Sequence, residues 1–158
     1  MSGAIDRFLE AAQVLGHDVE VRRFPGGTKT AADAAHAVGC DIGQIVKSLV
    51  FMADGHAVLA LTSGANRVDT AKLAVLSGAI QARRANADEV RAATGYAIGG
   101  TPPFGHPRPI LAFIDQDLFG YEEIWAAAGT PDSVFRTSPE ELRTAAAAGT
   151  ADFKERST

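Results

Sequence analysis

A lysine set inside an apolar strand pattern is the first residue with the means to do chemistry. Lys47 interrupts the run Ile45-Val46-Lys47-Ser48-Leu49-Val50-Phe51. Side chains alternate faces along a strand, so Lys47 shares a face with Leu49 and Phe51. If that face is buried, the ammonium sits at the rim of an apolar cavity and needs an anion or a carbonyl. If the residue lies at a strand end, its stem packs and its head reaches water. Gly43 stands four residues before Lys47, whereas a phosphate-binding P-loop needs glycine directly before its lysine.

The second feature is the loop Gly99-Gly100-Thr101-Pro102-Pro103-Phe104-Gly105-His106-Pro107. Tandem glycines permit positive φ and bring bare backbone N–H groups close to a ligand. The prolines stiffen the rest of the loop and limit the entropy lost on binding. The combination suits a rigid cradle for a carbonyl or oxyanion, and it equally suits a stiff connector. His106 has the acid/base chemistry of imidazole, or it is an exposed turn. Ser48 and Ser63 are nucleophile types, but neither sits in a Gly-x-Ser-x-Gly elbow. Asp69 and Asp115 read as caps and turn formers. Cys40, Trp125 and Phe135 read as packing residues.

The elements that must position these residues come from periodicity and turn chemistry. Ile5, Phe8, Leu9, Ala12 and Leu15 recur at helical spacing, predicting a helix over 3–15 that ends at Gly16. A short strand over 19–24 leads into the turn Pro25-Gly26-Gly27. Thr30, with Asp33 three residues on, starts an alanine-rich helix that Gly39 ends. Strands over 45–52 and 57–62 flank Asp54-Gly55, a hairpin signal. Asp69 caps a helix closed by Gly78, and 79–83 reads as a short strand. Asn86, with Glu89, caps another helix that stops at Gly95. Further strands are expected over 110–115, 122–127 and 133–136. Ser138-Pro139-Glu140-Glu141 opens a last helix, and the tail over 151–158 reads as frayed. Strands and helices mix without strict βαβ alternation. The expected class is α+β, a single domain over 1–158 with a mixed β-sheet.

Composition narrows the functions available. The 158 residues are 46% hydrophobic and 22% charged, enough apolar material for one core. No apolar run approaches the ~20 residues of a membrane span, and the first residues lack a signal-peptide pattern, so a cytoplasmic protein is expected. One cysteine excludes an intrachain disulfide and Cys-based zinc patterns. The four histidines show no pair at ligand spacing, so no metal and no cofactor is expected. A net charge of −4 argues against a protein gripping long nucleic acid, although Arg83, Arg84 and Arg91 form a small basic spot.

Taken in order, these segments resemble a known family. Thr30-Ala31-Ala32-Asp33-Ala34-Ala35 leads into Gln44-Ile45-Val46-Lys47-Ser48-Leu49-Val50-Phe51. Then come Arg67-Val68-Asp69, Lys72-Leu73-Ala74, the loop from Gly99 to Gly105, Ala128-Gly129 and Ser138-Pro139-Glu140-Glu141-Leu142. This order is similar to the YbaK/ProX family, free-standing relatives of the editing domain inserted in bacterial prolyl-tRNA synthetases. The resemblance covers most of the chain, from about Thr30 to Leu142.

The resemblance implies a mixed sheet partly closed into a barrel, with helices around it. It implies a deacylase acting in trans on the ester that joins a wrong amino acid to the 3′ end of tRNA, with tRNA-Pro carrying a small amino acid as the expected substrate. Prolyl-tRNA synthetase is the implied protein partner, and no stable DNA binding is expected. By residue matching, Lys47 and Gly100 take the catalytic positions. Gly99, Thr101, Pro102, Pro103, Phe104, Gly105, His106 and Thr30 take substrate-binding ones. The family relies on the terminal ribose hydroxyl of the substrate to help activate water, and needs no metal. Two segments depart from the YbaK branch: Gly129-Thr130-Pro131-Asp132, where some members carry a Gly-x-Arg-Gly-like segment, and the loop ending Phe104-Gly105-His106. The alternatives left open are a non-catalytic module binding a tRNA end or a synthetase, and a different hydrolase using His106 as its base.

Overall fold

The computed structural model describes residues 3–24 and 30–156. The turn expected at Pro25-Gly26-Gly27 lies outside them. The helices are α1 (Ala4–Val14), α2 (Ala31–Val38), α3 (Thr70–Ser77), α4 (Ala87–Thr94) and α5 (Pro139–Ala146). The strands are β1 (Val21–Arg23), β2 (Ile45–Ala53), β3 (His56–Ser63), β4 (Ala82–Arg84), β5 (Leu111–Asp115), β6 (Ile124–Ala127), β7 (Ser133–Thr137) and β8 (Gly149–Ala151). This is the α+β class expected, with parallel and antiparallel pairs in one sheet.

Local chemistry sets the boundaries. Thr30 accepts from the Asp33 N–H while Asp33 accepts from the Thr30 N–H, a reciprocal cap on α2. Asn86 and Glu89 do the same for α4. Asp54 and Gly55 both take positive φ, 48° and 85°, the conformation a tight two-residue hairpin requires between β2 and β3.

Strand β2 is the branch point of the sheet. One edge pairs antiparallel with β3 along its length, from Val46↔Ser63 to Ala53↔His56. The other edge is shared. Strand β6 lies parallel to it at Ile45 and Val46, and β4 antiparallel at Phe51 to Ala53. Between those contacts Lys47, Ser48 and Leu49 have no strand partner on that edge. The Ala85 N–H reaches the Val50 carbonyl on this side. Backbone groups alternate edges along a strand, so Ser48 directs its N–H and C=O into the same opening.

Three apolar clusters fix the layers. The largest joins Phe8 and Ala12 of α1, Val90, Leu142 and Phe104 to the face of the sheet bearing Val46, Val50, Leu59 and Leu61. A second packs Phe51, Ala53, Val58, Leu73 and Phe153, with Leu49 against them. A third sets Ala34 and Ala35 of α2 on Ile45, Trp125 and Val134. Lys47 projects between the second and third clusters.

The C-terminal segment departs from expectation. Residues 151–158 read as frayed because they are short and polar. Instead β8 adds to the sheet edge parallel to β5, with Ile114 opposite Thr150. Phe153 is 1% exposed, and its carbonyl accepts from the Asp69 N–H at 2.8 Å. The Glu155 N–H donates to Arg67 O at 2.8 Å. One buried aromatic and two main-chain bonds anchor a tail that composition alone reads as loose.

Candidate functional site

The break in β2 pairing opens into a cavity of about 310 Å³. Lys47, Ser48 and Leu49 form one wall, and Thr30, Ala31 and Ala34 of α2 another. Ile98, Gly99 and Thr101 line it as well, with Pro131 beside Gly99, and so do Trp125 and Ala127. Arg84 and Val90 also reach it. Among the described lining residues there is no carboxylate, whereas Lys47 and Arg84 are cations.

Lys47 is half-buried. Its Nζ donates to the Asn66 carbonyl at 2.5 Å, a neutral partner that leaves the positive charge uncompensated. Burial lowers its pKa below the ordinary lysine value. The nearby charges of Arg84 and Arg67 add to that shift, and Asp115 opposes it. A desolvated ammonium beside a second cation, with no carboxylate in the wall, is suited to an anionic or strongly polar ligand.

The loop divides in two. Gly99 has φ 86° and lines the cavity, as does Thr101. No described residue accepts the N–H of either. Gly100 lies between them, yet its N–H donates to Ala97 O at 3.0 Å. A Cβ at Gly100 would stand 2.7 Å from Thr130 Cα, so glycine is needed here for close packing on the 129–131 turn. Pro102 and Pro103 have no N–H to offer. Neither they nor Phe104, Gly105 and His106 line the cavity. Phe104 is 4% exposed, with its ring 5.2 Å from that of Phe8 and 5.8 Å from that of Phe135. Gly105 packs on α1, where a Cβ would stand 2.8 Å from that of Ala11.

His106 is not the exposed turn that its Gly-His-Pro setting suggests. Its Nε2 lies 2.8 Å from Pro102 O, and since a carbonyl only accepts, Nε2 carries the proton. Burial lowers its pKa, and the bond to Pro102 opposes that. The ring braces the second half of the loop and does not face the cavity. Thr30 lines the cavity, with its hydroxyl committed to the α2 cap. Ser63 is equally committed, donating to Gly43 O at 2.8 Å. Asp69 caps α3.

Several cavity features escape the sequence. Arg84 is legible there only as part of a basic spot, because β4 reaches β2 through a non-local pairing. Trp125 reads as core, and it is 4% exposed; yet it borders the cavity, and its Nε1 is buried with no hydrogen-bond partner among the described residues. The Ser48 hydroxyl is likewise enclosed and unpaired. Asn66 gives no signal by itself, since its importance lies in what Lys47 finds there.

Comparison with known proteins agrees with this geometry. The profile of the aminoacyl-tRNA editing domain matches residues 26–145. The uncharacterized protein YwhH of Bacillus subtilis is 30% identical over 124 residues, 78% of each chain. A proline–tRNA ligase of Xanthomonas oryzae is 36% identical over 90 residues, 57% of this chain and 16% of that much longer one. A solved structure named as a candidate trans-editing enzyme for prolyl tRNA synthetase superposes with a TM-score of 0.93 at 46% identity, over 99% of both chains. With its cavity built at the break in β2 and its sequence matched along most of its length, the chain belongs to the aminoacyl-tRNA editing domain family.

Proposed function

We propose that the chain is an aminoacyl-tRNA deacylase acting in trans, hydrolysing the ester of mischarged tRNA, with tRNA-Pro bearing a small wrong amino acid as its substrate. The observation that carries this is the pairing of Lys47 with the Gly99 and Thr101 segment in one cavity whose described lining holds no carboxylate. Lys47 orients a phosphate or ester oxygen of the 3′-terminal nucleotide. The free N–H groups of Gly99 and Thr101 receive the carbonyl oxygen as negative charge develops; losing one such donor costs roughly 10²–10³ in rate. Water adds to the carbonyl carbon, the bond to the ribose oxygen breaks, and that oxygen leaves with a proton as the free hydroxyl. Among the described residues the wall holds no paired nucleophile and base, which fits a reaction in which the neighbouring ribose hydroxyl of the substrate assists the water.

Selection rests on volume. One methylene in an apolar pocket discriminates only ~10–200-fold, the range in which a second sieve after the synthetase is useful. The test is a deacylation screen with Ala-, Cys-, Ser- and Thr-charged tRNA-Pro under single-turnover conditions. Wild-type protein shortens the ester lifetime of at least one of these, and Lys47→Ala keeps the fold and abolishes hydrolysis. Unchanged turnover in Lys47→Ala sinks the assignment. Protection of the ester by the wild type identifies a binding module instead.

A further inference from the structure

We propose that Asn66 is a positioning residue for Lys47, clamped by Asp115 and Asp117 and locked from outside by Lys154 of the C-terminal segment. This rests on the deacylase reading only for its activity readout.

The geometry runs inward from the surface. Lys154 Nζ donates to Asp117 Oδ2 at 2.6 Å. The same Oδ2 accepts from Asn66 Nδ2 at 2.9 Å. The Asn66 amide also donates to Asp115 Oδ2 at 2.8 Å. Asp115 is 1% exposed and is itself fixed by the Ser63 and Asp117 N–H groups. The Asn66 N–H donates to Ser63 O at 2.9 Å. Residue 66 is thus held through both its side chain and its main chain, and its main-chain carbonyl accepts from Lys47.

The arrangement solves a problem particular to a catalytic lysine. A flexible ammonium needs an anchor, but a carboxylate in direct contact would neutralise the charge the substrate must meet. A neutral carbonyl orients Nζ and occupies one of its three hydrogens, leaving two for a ligand. The acids stand one residue further back. Asp115 still favours the charged form of Lys47, against Arg84 on β4 and Arg67 in the loop before α3. The neutral, donating amide of asparagine suits position 66. Aspartate there would face two carboxylates, and alanine would release both bonds.

The experiment reads Lys47 itself. In protein labelled with 15N-lysine, the wild-type Lys47 ammonium gives a hydrogen-bonded Nζ signal in slow exchange with water. Asn66→Ala removes that signal while the main-chain spectrum stays folded, and kcat/KM for whichever of the four charged tRNAs the wild type hydrolyses falls about 10²-fold, as misplacement by an ångström can cost. Lys154→Ala, at the solvent end of the chain of contacts, retains the fold and weakens both readouts by a smaller factor; it decides the matter if Asn66→Ala does not fold. A Lys47 signal unaltered in the variants that fold overturns the clamp, whatever the activity does. A wild-type protein inert toward every aminoacyl-tRNA overturns the deacylase reading instead, and the Lys47 signal still decides the clamp.

Discussion

The two halves of the loop after α4 follow each other directly and have opposite surroundings. Ile98, Gly99 and Thr101 border the cavity, and the N–H groups of Gly99 and Thr101 have no acceptor among the described residues. Pro102 to His106 turn away, bury Phe104 against α1 and β7, and brace themselves through His106 and Pro102. One half offers backbone to a ligand, and the other uses its side chains to hold that backbone still. Composition separates a glycine half from a proline half, but it does not say which of them faces the cavity. What does is where each N–H goes and what each side chain touches.

Substitutions along the loop should therefore separate stability from turnover. Phe104→Ala has the largest expected effect, about 3–5 kcal/mol of stability, the usual cost of truncating a buried phenylalanine. Chemical denaturation checks it, and activity per folded molecule should be unchanged. Gly99→Ala should do the reverse. Its φ of 86° strains an L-residue, and the nearest atom to an added Cβ is 3.9 Å away, so the strain falls on the backbone that presents the N–H. The single-turnover rate should drop by roughly 10²-fold, with a stability loss of only about 1–2 kcal/mol. Equal losses in both measurements would erase the distinction between the halves. Gly100→Ala should fall between them, costing about 1–3 kcal/mol through overpacking on Thr130. Its effect on rate should come only from displacement of its neighbours.

The smallest effect belongs to His106. Burial holds its pKa below the unfolded value, so the unfolded chain takes up a proton first. Its contribution is fully present above about pH 6.5 and is lost as pH falls toward the lower folded pKa. His106→Gln should flatten that part of the stability–pH curve while leaving deacylation near wild type. A crippled enzyme would instead make His106 the base.

Much of this molecule is legible in its sequence because much of it is local. The reciprocal caps at Thr30 and Asn86, the Asp54-Gly55 turn and Lys47 on its strand each need only a few neighbouring residues. The rest is not local. Asn66 matters because Lys47, Asp115 and Asp117, residues 19 to 51 positions away, converge on it. The opening at Ser48 exists because β4 and β6 take different stretches of one strand edge, which no run of residues announces. Phe104 sits in a segment that reads as loop, and its role depends on Phe8 and Phe135. The tail fails as a prediction because Phe153 is the one large apolar residue in a mostly polar segment.

Trp125 is the only tryptophan in the chain. Its ring stands in the cavity wall with Arg22 4.8 Å from its centre, and its enclosed N–H has no hydrogen-bond partner among the described residues. Indole emission responds to hydrogen bonding and to nearby charge, so the protein carries an optical probe in the wall of the candidate site. Filling the cavity should alter the emission of the unmodified protein, and binding can be followed there separately from hydrolysis.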